Sequence, residues 1–386
     1  MLSWPNMGRW RRTASGERRT PRIAGAAVMA LAALLFAPAA GVRGDPLPPL
    51  PGPAPQGRPQ GFSARIENQR CETCHEDIAA EWRASLHRQA FTDRVFQRSY
   101  AIEPLPFCRG CHAPEADPAH HPDADAQAVG VGCVTCHLVA GEVVSARGRD
   151  ARGGAHAVRG DARLSTDEGC ARCHQFDFPR APGVPMQDTV AEHRSGRFAE
   201  RPCRDCHMPL VQGISGRPHR DHRFSVVGDP AVLRSAIDAS ASRSGANAVE
   251  VSARVVAAGH AVPTGDMFRR LEVRASAVDA KGAIVAAATP VILERRFSVR
   301  PIEGGIERVP AGDTRLPASG APRVLRLVFP AAIDGLAVRW EVVYQRMGAA
   351  MGAAFGVDPA ADEVVLAAGT LGARPVVGRP APAPVP

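Results

Sequence analysis

Hydrophobic positions change their pattern three times along the chain. Ile23–Ala37 is a mostly apolar run without charge, preceded by a basic stretch to Arg22 and followed by small residues and Pro38. That is the order of an export signal, and the run is short for a membrane span, which needs roughly 20 apolar residues. Residues 62–226 predict sparse regular structure, mainly short helices beginning at sequence motifs. Glu76–His87 is one and Asp188–Glu200, with Asp188 as N-cap, another. Asp229–Ala239 reads as a further short helix. From Ala246 the pattern alternates. Val249, Val251, Ala253 and Val255 share one face, as do Leu271, Val273, Ala275 and Ala277. Ile284–Ala288, Val291–Phe297, Arg323–Phe329 and Leu336–Gln345 are also strand-like. Short strands broken by Gly, Pro and Asp indicate an antiparallel β-sandwich.

The expected organisation is therefore a signal peptide over 1–44 and a Pro-rich linker over 45–61. A mainly irregular and α-helical domain over 62–226 follows, then a connecting helix or linker over 227–246. The β-sandwich covers 247–372 and a loose Pro-rich tail 373–386. The N-terminal segment is either cleaved or kept as an anchor, and only an uncleaved segment gives membrane association. The mature chain is expected outside the cytoplasm, in a periplasm or an equivalent compartment.

Charge at first suggests an anionic partner, since the chain of 386 residues has a formal net charge of +8. Residues 1–44 hold seven arginines and one acid, which leaves 40 bases against 38 acids in the remainder. A nucleic-acid partner loses its support once the address segment is set aside.

The ten cysteines carry the chemistry. They form five pairs of one spacing, each followed by histidine: Cys71-Cys74-His75, Cys108-Cys111-His112, Cys133-Cys136-His137, Cys170-Cys173-His174 and Cys203-Cys206-His207. Cys-x-x-Cys-His is the attachment motif of c-type haem. Two thiols about one helical turn apart each add to a vinyl group of one porphyrin, and the next histidine becomes the proximal iron ligand. A disulfide framework or a zinc ribbon has no reason to place histidine after every second cysteine. Five covalently bound c-type haems are thus expected within the 137 residues from Cys71 to His207. So little polypeptide per haem means that porphyrins fill much of the core, which accounts for an aromatic content of only 5%.

Eight histidines remain for the sixth positions: His87, His120, His121, His156, His193, His219, His222 and His260. Counting alone does not assign them, nor does it show that every iron is six-coordinate.

The segment Cys71–Phe91, CETCHEDIAAEWRASLHRQAF, resembles the opening of multihaem cytochromes of the cytochrome c-554 type. These are related to hydroxylamine oxidoreductase and pentahaem nitrite reductase. The stretch His193–Pro209, HRSGRFAERPCRDCHMP, is similar too. The resemblance implies distal ligation by His87 and His193, and less directly by His156 and by His222 of the pair His219/His222. Gly259–Leu271, GHAVPTGDMFRRL, resembles a turn in sandwich domains that follow multihaem segments, which makes His260 a haem ligand or an interface residue. Arg269 and Arg270 are candidates for pairing with propionates or for solvated strand positions. The named carrier has four haems where this chain has five motifs. The Cys-x-x-Cys-Lys of the nitrite reductase is missing, and the only tyrosines are Tyr100 and Tyr344.

The leading expectation is an exported pentahaem electron carrier with mostly bis-histidine irons, exchanging electrons with donor and acceptor proteins. The rival is an oxidoreductase acting on a small nitrogen or sulfur species at one five-coordinate haem.

Overall fold

A computed structural model describes residues 61–117, 120–147, 155–214, 216–224, 226, 229–303 and 305–374, which lie in one compact unit. The expected export signal, nearly all of the Pro-rich linker and most of the Pro-rich tail fall outside the described residues. Among those residues no helix is long and apolar enough to cross a membrane.

The motif-bearing stretch is built from short helices and hairpins. The helices that carry the motifs close at the motif histidines; two of them also begin at a motif cysteine, and Glu76–Arg83 starts directly after His75. Ala64–Cys74, Pro106–His112, Cys133–His137, Glu168–His174 and Cys203–His207 each close at or just before the histidine. Ser63 caps the first of these through the Ile66 amide, and Asp93 and Asp123 cap Arg94–Ile102 and Ala124–Val129 in the same way. The two helices expected from the sequence are shorter than read. One covers Glu76–Arg83 and the other Thr189–Arg194. Asp188 stands at the N-cap without capping; its carboxylate accepts instead from Gln175 Nε2 at 2.9 Å. Apolar side chains in this stretch form only small groups, such as Phe91, Tyr100, Ala113, Ala116 and Ala126.

The C-terminal stretch has nine longer strands: β1 (Ile237–Arg243), β2 (Ala248–Val255), β3 (Arg270–Val278), β4 (Ile284–Ala287), β5 (Val291–Ile302), β6 (Gly305–Asp313), β7 (Arg323–Val328), β8 (Ala337–Gln345) and β9 (Val364–Leu371). One antiparallel sheet runs β6-β5-β3-β8-β9, with β4 also on β3; a second runs β7-β2-β1. The alternation has a direct physical result. Leu271, Val273, Ala275 and Ala277 lie opposite Tyr344, Val342, Trp340 and Val338. Val249 and Val251 lie opposite Leu327 and Leu325. The inward side chains of both sheets join one apolar cluster. Leu327 is fully buried there. Leu327→Ala is therefore expected to cost about 3 kcal/mol, read as a fall in the urea midpoint.

Several elements depart from the expectation. The 227–246 connection is a helix only over Pro230–Ser235, after which Ile237–Arg243 joins the second sheet. Strands β6 and β9 and the helix Ala349–Phe355 had no distinct signal. Strand β5 runs five residues beyond the predicted Phe297, because beyond that point it pairs with β6 as a largely exposed hairpin.

This hairpin reaches the motif-bearing stretch. Phe297 packs edge-on against Phe178 with ring centres 5.1 Å apart, and Arg308 pairs with Glu103 at 3.2 Å. A second contact joins Arg346, at the end of β8, to Asp93 through two hydrogen bonds of 2.8 and 2.9 Å.

Candidate haem sites

Each attachment motif occupies about one helical turn, so its two thiols emerge on neighbouring positions of one face. No two of the ten cysteines are joined in a disulfide. Thiols of different motifs also meet. Cys71 lies beside Cys133, Cys111 beside Cys173, and Cys170 beside Cys203. Two of these junctions are built alike. Asn68, three residues before Cys71, accepts the Cys133 amide at 2.7 Å, and Asp167, three residues before Cys170, accepts the Cys203 amide at 3.0 Å. The residue at that position therefore starts the helix of a later motif. Burial pushes the Cys108 and Cys136 thiols up to about 11.

The histidines form pairs between distant parts of the chain. His75 faces His156 at 6.4 Å between ring centres, His87 faces His174 at 6.3 Å, His137 faces His222 at 6.3 Å, and His207 faces His260 at 6.2 Å. Two imidazoles that hold one metal from opposite sides, each through a nitrogen at about 2 Å, stand with ring centres about 6 Å apart; a tetrahedral angle brings them to about 5 Å. The four spacings fit axial ligands on opposite sides of a flat macrocycle. Each pair joins one motif histidine to one histidine outside the motifs.

The tautomers fit as well. The Nδ1 atoms of His137, His222 and His260 lie 2.8, 2.7 and 3.0 Å from the carbonyl oxygens of Val144, Arg220 and Ala261. A carbonyl only accepts, so Nδ1 donates and Nε2 keeps the lone pair a metal needs. Burial, with other imidazoles close by, drives His87 down to about 3 and His174 and His207 down to about 4. These rings are neutral at pH 7, the state required of a ligand.

Of the histidines singled out by resemblance, His87, His156, His222 and His260 are brought opposite a motif histidine. His193 is not. It is buried, its Nε2 donates to the Arg201 carbonyl at 2.8 Å, and its Nδ1 side is closed by Gly259. His219 sits 3.0 Å from Glu81 and His120 2.8 Å from Asp117. The fifth motif histidine, His112, is set apart. Its ring stacks on Phe96 at 3.7 Å and 9°, and its Nδ1 donates to the Ala90 carbonyl at 2.6 Å. Among the described residues no histidine ring faces it at the spacing of the other four.

Some residues of the sites had no signal in the sequence. Phe224 lies edge-on to His87 at 4.2 Å and to His222 at 5.7 Å, wedged between two pairs. Gly130 supports His87 from the backbone. At φ +58, a Cβ there would stand 2.6 Å from the His87 carbonyl, so only glycine fits.

Residues 70–138, which contain the first three motifs, match the family of cytochrome c554 and c-prime. Over that segment the chain is similar to multihaem cytochromes c. It shares its fold with a penta-heme cytochrome c552 from Thermochromatium tepidum. The two are 23% identical, and the match covers 80% of this chain and 98% of that one with a TM-score of 0.65. No curated protein matches the chain. That likeness supports covalently bound c-type haem and electron transfer or other haem-based chemistry, with redox partner proteins in general.

Proposed function

We propose that the protein is an exported electron carrier with five covalently attached haems, four of them held between the paired histidines and the fifth held by His112. The observation that carries the reading is the set of four imidazole pairs at 6.2–6.4 Å. Cys71 and Cys74, Cys108 and Cys111, Cys133 and Cys136, Cys170 and Cys173, and Cys203 and Cys206 provide the attachment points. When bound, the haems supply one-electron chemistry at low potential, as bis-histidine ligation favours. The polypeptide holds the imidazoles neutral, fixes their tautomers through carbonyl acceptors and keeps the sites close together. The thiol contacts between motifs one and three, two and four, and four and five support two groups of adjacent sites, one of two haems and one of three with the fourth motif in its middle. The β-rich region is read as a two-layer sandwich that closes one side of the array.

A second reading, oxidoreductase chemistry on a small nitrogen or sulfur species, rests on His112 alone. Its surroundings include the carboxylates Asp93 and Asp266. Electron paramagnetic resonance with haem quantification tests both readings. The carrier reading expects five haems per chain and four low-spin irons insensitive to cyanide. A His112 iron that also stays low-spin and inert to cyanide and nitrite removes the second reading. Fewer than four low-spin irons overturns the ligand pairs.

A further inference from the structure

His260 arrives from a loop of the β-rich region, whereas His207 belongs to the last attachment motif. Their rings are nearly parallel, at 13°. Nothing in the motif holds that loop in place, so something else must. The contacts that do so come from the helix Thr189–Arg194 and the turn after it, on one side, and from the segment after β6 on the other.

His193 and Gly259 meet directly. A Cβ at position 259 would lie 2.4 Å from His193 Nδ1 and 2.9 Å from its Cε1. The His193 ring has nowhere to move, since only 7% of the residue is exposed and its Nε2 is tied to the Arg201 carbonyl. Gly196 closes the same contact from the turn, where a Cβ would stand 2.3 Å from the Gly259 carbonyl. Neither glycine has a left-handed φ, so close backbone approach is what excludes a side chain. On the far side of His260, Thr264 donates to Glu192 at 2.7 Å and shares a hydrogen bond with Thr189 at 2.9 Å. Arg315 pairs with Glu192 at 2.7 Å, with both side chains under a tenth exposed, and also donates to the Pro263 carbonyl at 3.0 Å. Leu316 exchanges backbone hydrogen bonds of 2.9 and 3.1 Å with Val262. The loop is thus gripped on both flanks of His260.

We propose that His193, Gly196, Gly259 and the buried Glu192–Arg315 pair are positioning residues that lock the His260 loop against the haem-bearing region, so that the β-rich region completes the axial pair begun by His207. The role of His193 in this arrangement is to set the depth at which the loop seats. The proposal rests on the reading of His207 and His260 as an axial pair.

The test uses the full-length protein with its haems in place and counts low-spin irons by electron paramagnetic resonance. Gly259→Ala drives a methyl group into the His193 ring and is expected to lower the count from four to three, with one new high-spin iron. Adding His193→Ala removes the obstructing ring and is expected to restore four. A count of four in Gly259→Ala alone overturns the proposal, and so does a double variant that stays at three. His260→Ala measured alongside separates the two claims. If it too keeps four low-spin irons, the axial pair is wrong; if it gives three while Gly259→Ala keeps four, only the positioning is wrong. Should Gly259→Ala fail to accumulate, Glu192→Gln carries the question, since it removes the buried carboxylate that ties Arg315 to the helix Thr189–Arg194 and leaves Arg315 paired only with Asp313 of its own segment. A partial loss of the same low-spin signal is expected, and an unchanged spectrum overturns the proposal.

Discussion

His87→Ala is expected to turn one low-spin iron high-spin while leaving the other sites as they were. His87 lies 6.3 Å from His174 and belongs to neither the motif nor its helix, so the alanine removes an axial ligand without touching haem attachment. The neighbouring groups do not replace it. Phe224 packs edge-on at 4.2 Å and has no lone pair to offer, and the Val131 amide donates to the His87 carbonyl, which stays in the variant. His87→Met is the informative partner. A thioether can occupy the same axial position, and His/Met ligation raises the potential, here by on the order of 0.1 V within the span of about 0.8 V that axial ligands command. Spectroscopic redox titration of the two variants reads both effects. If His87→Ala keeps its low-spin iron, His87 is not the ligand.

The second large effect belongs to the ion pair between Asp93 and Arg346, which joins the N-terminus of the helix Arg94–Ile102 to the end of β8. Asp93→Asn is expected to destabilise the protein by about 3 kcal/mol at pH 7, because it leaves a largely buried guanidinium with only the more distant Asp362. Asparagine still caps the helix, so the loss reports the charge and not the cap. Burial pushes the Asp93 carboxyl upward, but the hydrogen bonds and charge of Arg346 outweigh it and hold the group below its ordinary value of 3.8. A carboxylate depressed in the folded state contributes stability above its unfolded pKa and loses it as pH falls through the folded value. The gap between wild type and Asp93→Asn should therefore be full at pH 7 and shrink below about pH 4. Denaturant unfolding at the two pH values checks this. A gap that stays constant into acid refutes the assignment to charge.

Local chemistry was legible in the sequence and long-range pairing was not. The five attachment motifs and the alternating strands β2, β3, β5, β7 and β8 could be read because each depends on neighbours within a turn or along a strand. Strand β6 escaped notice because its side chains are mostly exposed and leave no apolar stripe. The helices in the motif-bearing stretch were misjudged in extent because their ends are set by contacts from outside, as when Asp188 spends its carboxylate on Gln175 instead of its own helix. His193 was the instructive case. It stands on a helix before a motif, where resemblance pointed to a ligand, and the structure ties its Nε2 to the Arg201 carbonyl and packs its ring on Gly259, next to His260.

By itself, then, the sequence determined which atoms are available for haem: thiols three residues apart followed by an imidazole, repeated five times, with too few apolar side chains nearby to fill a core alone. Only the tertiary structure decided which imidazole stands across from which. His75 meets His156 and His207 meets His260 because hairpins, loops and a separate pair of sheets carry the second ring of each pair into place. Spacing along a chain dictates chemistry within one helical turn. It says nothing about rings brought together by packing, by a glycine that lets two backbones touch, or by a buried ion pair that anchors a loop.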